Sequence, residues 1–179
     1  MTDIFVEREF DPGLTAEDVW TMADVSGPCF HLHGVDWHAS LLAVGGRRML
    51  CHFSSADAES VRIAIRQSGG PRGRAWPGTV HEAPNLPGAD PGYSNVVVTR
   101  SWPWPVELAD IQAVEDAGAW CLEAHNVQFV RTFFAADRRR MACLYRGPDA
   151  ESVRLAQARA GMPVERVWAF ESLVPPERR

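Results

Sequence analysis

Five of the six histidines, His31, His33, His38, His52 and His81, lie in the first half of the 179-residue chain, and only His125 lies in the second. Imidazoles gathered in this way suit two chemistries. His33, His38 and His52, with His31 or Cys51 as an accessory donor, offer the ring nitrogens and thiolate that nickel or another divalent transition metal takes. Alternatively His38 or His52 serves as an acid/base in a pocket walled by Trp20, Trp37 and Trp76 with Ser40 as a polar point, because an ordinary histidine exchanges protons near neutral pH. The choice depends on the register of the hairpin that carries His38 and His52, since a one-residue slip reverses every side chain. Residues 27–34, which carry His31 and His33, read as a loop. Arg8 and Arg100 occupy corresponding strand positions, and with Glu7 they read as an ion pair rather than as a clamp for a carboxylate ligand. Cys51 and Cys143, amid apolar neighbours, read as inert buried thiols.

Composition removes many alternatives. All 18 basic residues are arginine, so Schiff-base chemistry, pyridoxal phosphate anchoring and a Walker A lysine are excluded. A net charge of −5 without a basic tail argues against nucleic acid or an anionic membrane as partner. No apolar run is long enough to span a bilayer, and Asp3, Glu7 and Glu9 stand where a signal peptide would be basic and then apolar, so the expected location is cytoplasmic. The four cysteines form no CxxC pair, which argues against a zinc finger or a disulfide framework. GxSxG, GxGxxG, HExxH and EF-hand patterns are absent from the sequence.

What must position these residues is a repeat. Asp57-Ala58-Glu59-Ser60-Val61-Arg62 recurs as Asp149-Ala150-Glu151-Ser152-Val153-Arg154, an offset of 92. The same offset pairs Arg8 with Arg100, Cys29 with Cys121, His33 with His125, Trp37 with Phe129, Cys51 with Cys143 and Trp76 with Trp168. The expected organisation is repeat 1 over 1–84, a Pro/Gly linker over 85–93, and repeat 2 over 94–179 with a short C-terminal tail. Within one repeat, residues 4–10 alternate as a strand, and Thr15 caps a helix reaching to about residue 25. Residues 35–44 and 48–54 form a hairpin around Gly45-Gly46. Asp57 caps a second helix that ends at Gly69, and residues 75–83 supply a last strand.

The order βαββαβ is the ferredoxin-like unit, an antiparallel sheet with both helices on one face. Apolar residues of both parities in the hairpin predict that the other face is buried as well. The expected architecture is therefore α+β: two tandem units packed sheet to sheet as a pseudo-twofold α/β barrel, a dimeric barrel in one chain. The chain would then be a monomeric pseudo-dimer or a homodimer. Trp102-Pro103-Trp104-Pro105 cannot continue a strand ladder and reads as a rigid cover.

Phe5-Val6-Glu7-Arg8, Val35-Asp36-Trp37-His38-Ala39-Ser40, Cys51-His52-Phe53 and the segment from Asp149 to Arg154 leading to Ala160-Gly161-Met162-Pro163 resemble the DUF4242, or SCO4226-like, family over both repeats. The resemblance implies ferredoxin-like units paired into an α/β barrel, and nickel binding as described for a streptomycete member. Where members often carry a histidine two residues after the strand tryptophan, this chain has Ala39 and Arg131. The functional expectation is a protein that binds a transition metal or a small molecule at one site in the first repeat. The alternative is a cofactor-free enzyme of isomerase, lyase, cyclase or monooxygenase type, and a third possibility is a module that presents its helices to another protein.

Overall fold

The computed structural model describes residues 1–88 and 91–175; Ala89 and Asp90 of the expected linker, and 176–179 of the expected tail, lie outside the described residues. The first elements are β1 (Thr2–Glu9), α1 (Ala16–Leu32), β2 (Asp36–Ala43), β3 (Arg48–Ser55), α2 (Ala58–Gln67) and β4 (Arg74–Glu82). They are followed by β5 (Val96–Ser101), α3 (Leu108–Ala117), α4 (Ala119–Ala124), β6 (Gln128–Ala135), β7 (Arg140–Arg146), α5 (Ala150–Arg159) and β8 (Arg166–Leu173). The structure is mixed α+β with antiparallel pairing in both halves. Two compact units emerge, one containing Met1–Gly78 with the segment from Glu171, the other Thr79–Phe170.

In the first unit β1 pairs with both β3 and β4, and β2 pairs with β3, so the strand order is β4-β1-β3-β2. In the second, β5 pairs with β7 and β8, and β6 with β7, which is the same order. Ile4, Phe5 and Val6 are consecutive and all buried. Alternate residues point to opposite faces, so both faces of this sheet are covered, as the mixed parity of its apolar residues requires. One face carries Ile4, Val6, Met49, Cys51 and Phe53 against α1 and α2.

The helices begin where capping chemistry places them. Thr15 and Asp18 form a reciprocal capping box at α1. The carboxylates of Asp57 and Asp149 accept from the backbone N–H of Ser60 and Ser152 at the starts of α2 and α5. Residues 27–34 correct the loop expectation: α1 runs through Gly27-Pro28 to Leu32. Proline forfeits one helical hydrogen bond there, but continuing the helix brings Phe30 edge-on to Phe53 at 5.3 Å. Gly46 turns the hairpin with φ of 70°, and a Cβ on it would lie 1.9 Å from the Leu14 carbonyl oxygen.

Two departures from a regular ladder bear on the site. Trp37 faces Phe53 and Ala39 faces His52, which leaves His38 as the extra residue of a β-bulge. An identical shift lies between Phe129 and Arg131 in the second unit. The Trp102 segment divides its tasks, since Trp102 packs on the second unit's core while Trp104 stands exposed.

Candidate functional site

The helix-covered face of the first unit holds a cavity of about 560 Å³. Trp20, Met22, Ala23 and Phe30 of α1 line one side, Trp37 and Ser40 of β2 another, and Met49 and Phe53 the sheet. Trp20 and Trp37 meet edge-on with centroids 5.5 Å apart. The bulge is what puts Trp37 and Ser40, three residues apart, on one face, where Trp37 Nε1 donates to Ser40 Oγ at 3.1 Å. Ser40 Oγ donates in turn to Cys51 Sγ at 3.0 Å. Asp24, Ser26 and Asp36 add polar groups to the lining, and His38 borders the cavity at the bulge with its ring turned to the other face of the sheet.

Arg8 enters the same cavity from β1 and is only 6% exposed. Its Nη1 donates to Met22 Sδ at 3.6 Å and its Nη2 to Cys51 Sγ at 3.5 Å, while its buried Nε has no partner among the described residues. The expected Arg8–Glu7 ion pair is not formed. The two residues are consecutive on a strand and point to opposite faces, and the Glu7 carboxylate accepts from Trp76 Nε1 at 2.8 Å.

Among the histidines, the structure joins His38 to His52, with ring centroids 4.7 Å apart. His38 Nε2 lies 2.8 Å from Ser54 Oγ, and His52 Nε2 lies 2.7 Å from Asp3 Oδ1. Phe5 stacks on His52 at 4.9 Å and meets Trp76 at 4.6 Å. This second group occupies the sheet face away from the helices. Trp76 is therefore not a wall of the cavity, because its neighbour Ala75 takes the core-facing parity. His33 stands apart, 2.7 Å from Gln67 of α2, and His31 is exposed on the last turn of α1. Cys51 lies on the helix side, and its thiol is 1% exposed.

A nickel ion would need more donors than this arrangement supplies. Among the described residues no group of three or more His, Cys, Asp or Glu side chains is placed to hold a metal. His38 and His52 are neighbours, yet each turns its Nε2 to Ser54 or Asp3, and His33 is held by α2. The residues as they stand do not fit the ion.

The corresponding region of the second unit is closed by its own side chains. Arg100, 1% exposed, donates to Gln157 Oε1 at 2.5 Å and to Tyr145 Oη at 3.3 Å, and lies 3.8 Å from Glu115 Oε1. Tyr145 Oη donates to Glu115 at 3.1 Å. Burial works against the Arg100 charge, but Cys143, Tyr145 and Glu115 beside it raise its pKa on balance. Burial also pushes up the Glu115 carboxyl, with Arg100 opposing, and pushes the Tyr145 hydroxyl well up. Thr132 and Cys143, 3.2 Å apart, repeat the Ser40–Cys51 contact.

The cavity's contribution from Phe30 was hidden in the sequence by the expected end of α1 at about residue 25. The state of Arg8 had a signal, since the offset of 92 sets Ala23 opposite Glu115 and Ile65 opposite Gln157.

Residues 97–169 match the family described as nickel responsive protein SCO4226-like. Among solved structures, SCO4226 from Streptomyces coelicolor A3(2) aligns at 20% identity over 48% of this chain and 100% of that one, with a TM-score of 0.39. A mutant chlorite dismutase from Candidatus Nitrospira defluvii, in complex with cyanide, aligns at 12% identity over 94% of this chain and 90% of that one, with a TM-score of 0.50. A heme-binding protein from Thermus thermophilus aligns at 9% identity over 96% and 91% of the two chains, also with a TM-score of 0.50. At these identities the likeness to the last two is one of fold. No curated protein matches the sequence.

Proposed function

We propose that this chain, whose residues 97–169 match the SCO4226-like nickel-responsive family, is a small-ligand-binding protein with its site in the first of two repeated units, residues 1–84 and 94–179. The observation that carries this reading is the first-unit cavity, whose volume of about 560 Å³ lies within the usual range for small-molecule sites. Aromatic walls supply apolar contact, and Arg8 and Ser40 supply the few polar points that orient an occupant.

The test uses Trp20 and Trp37 as reporters, since both line the cavity. Small apolar compounds should shift tryptophan emission and raise the melting temperature, and Ala23→Phe, which fills the space, should abolish both responses. Binding that survives Ala23→Phe would remove the cavity as the site.

One observation favours a second reading, a cofactor-free enzyme. His38 borders the cavity at the bulge, and its ring, turned to the other face of the sheet, is held by Ser54 Oγ at 2.8 Å and lies against His52, which keeps an oriented pair of imidazoles next to the site. Turnover of a bound compound that is lost in His38→Asn, with binding retained, would establish it; equal turnover would remove His38 from the chemistry.

A further inference from the structure

We infer that the first-unit cavity takes a small organic acid, one carboxylate on an aromatic or similarly apolar body, with the carboxylate seated on Arg8. This rests on the small-ligand reading above and names its ligand class.

The argument begins from a buried cation. A guanidinium taken out of water is costly unless it is paired. Among the described residues no carboxylate comes within ion-pair distance of Arg8, and its two hydrogen-bond acceptors are thioether and thiol sulfurs, which are weak.

The second unit shows what completes this arrangement. Arg100 is bound by Glu115, Tyr145 and Gln157. Ninety-two positions earlier stand Ala23, Phe53 and Ile65. Every polar partner has been exchanged for an apolar residue, while the arginine, the cysteine behind it and the neighbouring hydroxyl are retained as Arg8, Cys51 and Ser40. Ala23 and Phe53 border the cavity that Arg8 enters. What the first unit lacks, relative to the second, is a carboxylate against the guanidinium, and it has open space where that group would sit.

The remaining lining narrows the class. Trp20, Trp37 and Phe30 offer flat apolar surfaces to the body of the ligand. Asp24 is exposed and Asp36 half-buried, so negative charge lies toward solvent while the cation lies within. That polarity suits a single inward anionic group and repels a polyanion such as a nucleotide.

The test titrates the untagged full-length chain with phenylacetate and, as its neutral counterpart, benzyl alcohol, read by calorimetry and by melting temperature. Phenylacetate should bind at millimolar affinity or better and benzyl alcohol much more weakly. Arg8→Gln should weaken phenylacetate by roughly 10- to 100-fold, the scale of a charge-assisted hydrogen bond. Ala23→Glu, which installs the second unit's carboxylate, should weaken it similarly while melting at or above the parent temperature, so the outcome does not hinge on one variant's folding. Equal binding of the two compounds, or affinity unchanged in both variants, overturns the organic-acid inference and leaves the small-ligand reading standing. Failure of both compounds to bind at millimolar concentration overturns the two together.

Discussion

Replacing Arg8 and Arg100 by methionine, one at a time, should move stability in opposite directions. Methionine keeps most of the aliphatic stem and removes the charge. At position 100 the loss strands Glu115, whose side chain is 12% exposed, and takes the hydrogen bonds away from Gln157 and Tyr145. Breaking a buried pair from one side costs about 3–5 kcal/mol. At position 8 no carboxylate is stranded; two contacts to sulfur disappear and a buried cation with a partnerless Nε goes with them. Relief of that burial should stabilise the unliganded protein by about 1–2 kcal/mol. For a chain of this size each kcal/mol is worth about 2–4 °C, so the two variants should melt well apart on either side of the parent. Urea unfolding followed by tryptophan emission and circular dichroism, extrapolated linearly, measures the same difference at room temperature. Should Arg8→Met prove as destabilising as Arg100→Met, Arg8 has its counter-charge within the fold and the cavity argument loses its starting point.

The three helix-capping carboxylates Asp18, Asp57 and Asp149 are held below the usual range, chiefly by backbone N–H donors. Their contribution is therefore present above the unfolded value and is lost as the pH falls through the depressed folded one; the double variant Asp57→Asn, Asp149→Asn should show a flatter acid limb in melting temperature between about pH 5 and pH 2. An equally steep limb would remove the caps as its cause. Trp76→Phe takes the indole donor from Glu7 and should cost about 1–3 kcal/mol in urea unfolding, while leaving ligand binding unchanged, because Trp76 faces away from the cavity. Calorimetric titration of untagged, chelator-stripped protein with Ni²⁺ should give no stoichiometric binding; a one-to-one isotherm abolished by His38→Ala or His52→Ala would establish a metal centre that the present side-chain positions do not display.

Local sequence signals made much of the fold legible. The offset of 92 that pairs Asp57 with Asp149 places α2 and α5, Ala58–Gln67 and Ala150–Arg159, at equal positions, because a capping aspartate and a terminal glycine with φ near 70° are local signals. Strand order followed from element order. The site was less legible because it depends on parity. The bulge at His38 reverses which β2 residues face α1, so it joins Trp37 to Ser40 on one face and leaves Ala39 opposite His52 on the other. Neither a proline nor a glycine marks it. Trp76 failed as a wall for the same reason, one residue of parity from Ala75. The end of α1 was misplaced because Gly27-Pro28 reads as a breaker when the packing of Phe30 on Phe53 is not yet known.

The second unit also serves as an internal control on whether the fold needs the polar residues of the first. The same hairpin, with the same bulge, is built there with Val130 in place of His38 and Leu144 in place of His52, both 1% exposed. The arginine on the corresponding inner strand stands against Glu115, Tyr145 and Gln157. The second unit thus has apolar residues at the histidine positions and a carboxylate beside its arginine, and the first unit has neither. On the reading proposed above, the unpaired charge of Arg8 is answered by a molecule that the fold binds. Stability and binding should consequently trade against each other at Arg8 and Ala23, and not at Arg100, which already stands against Glu115, Tyr145 and Gln157.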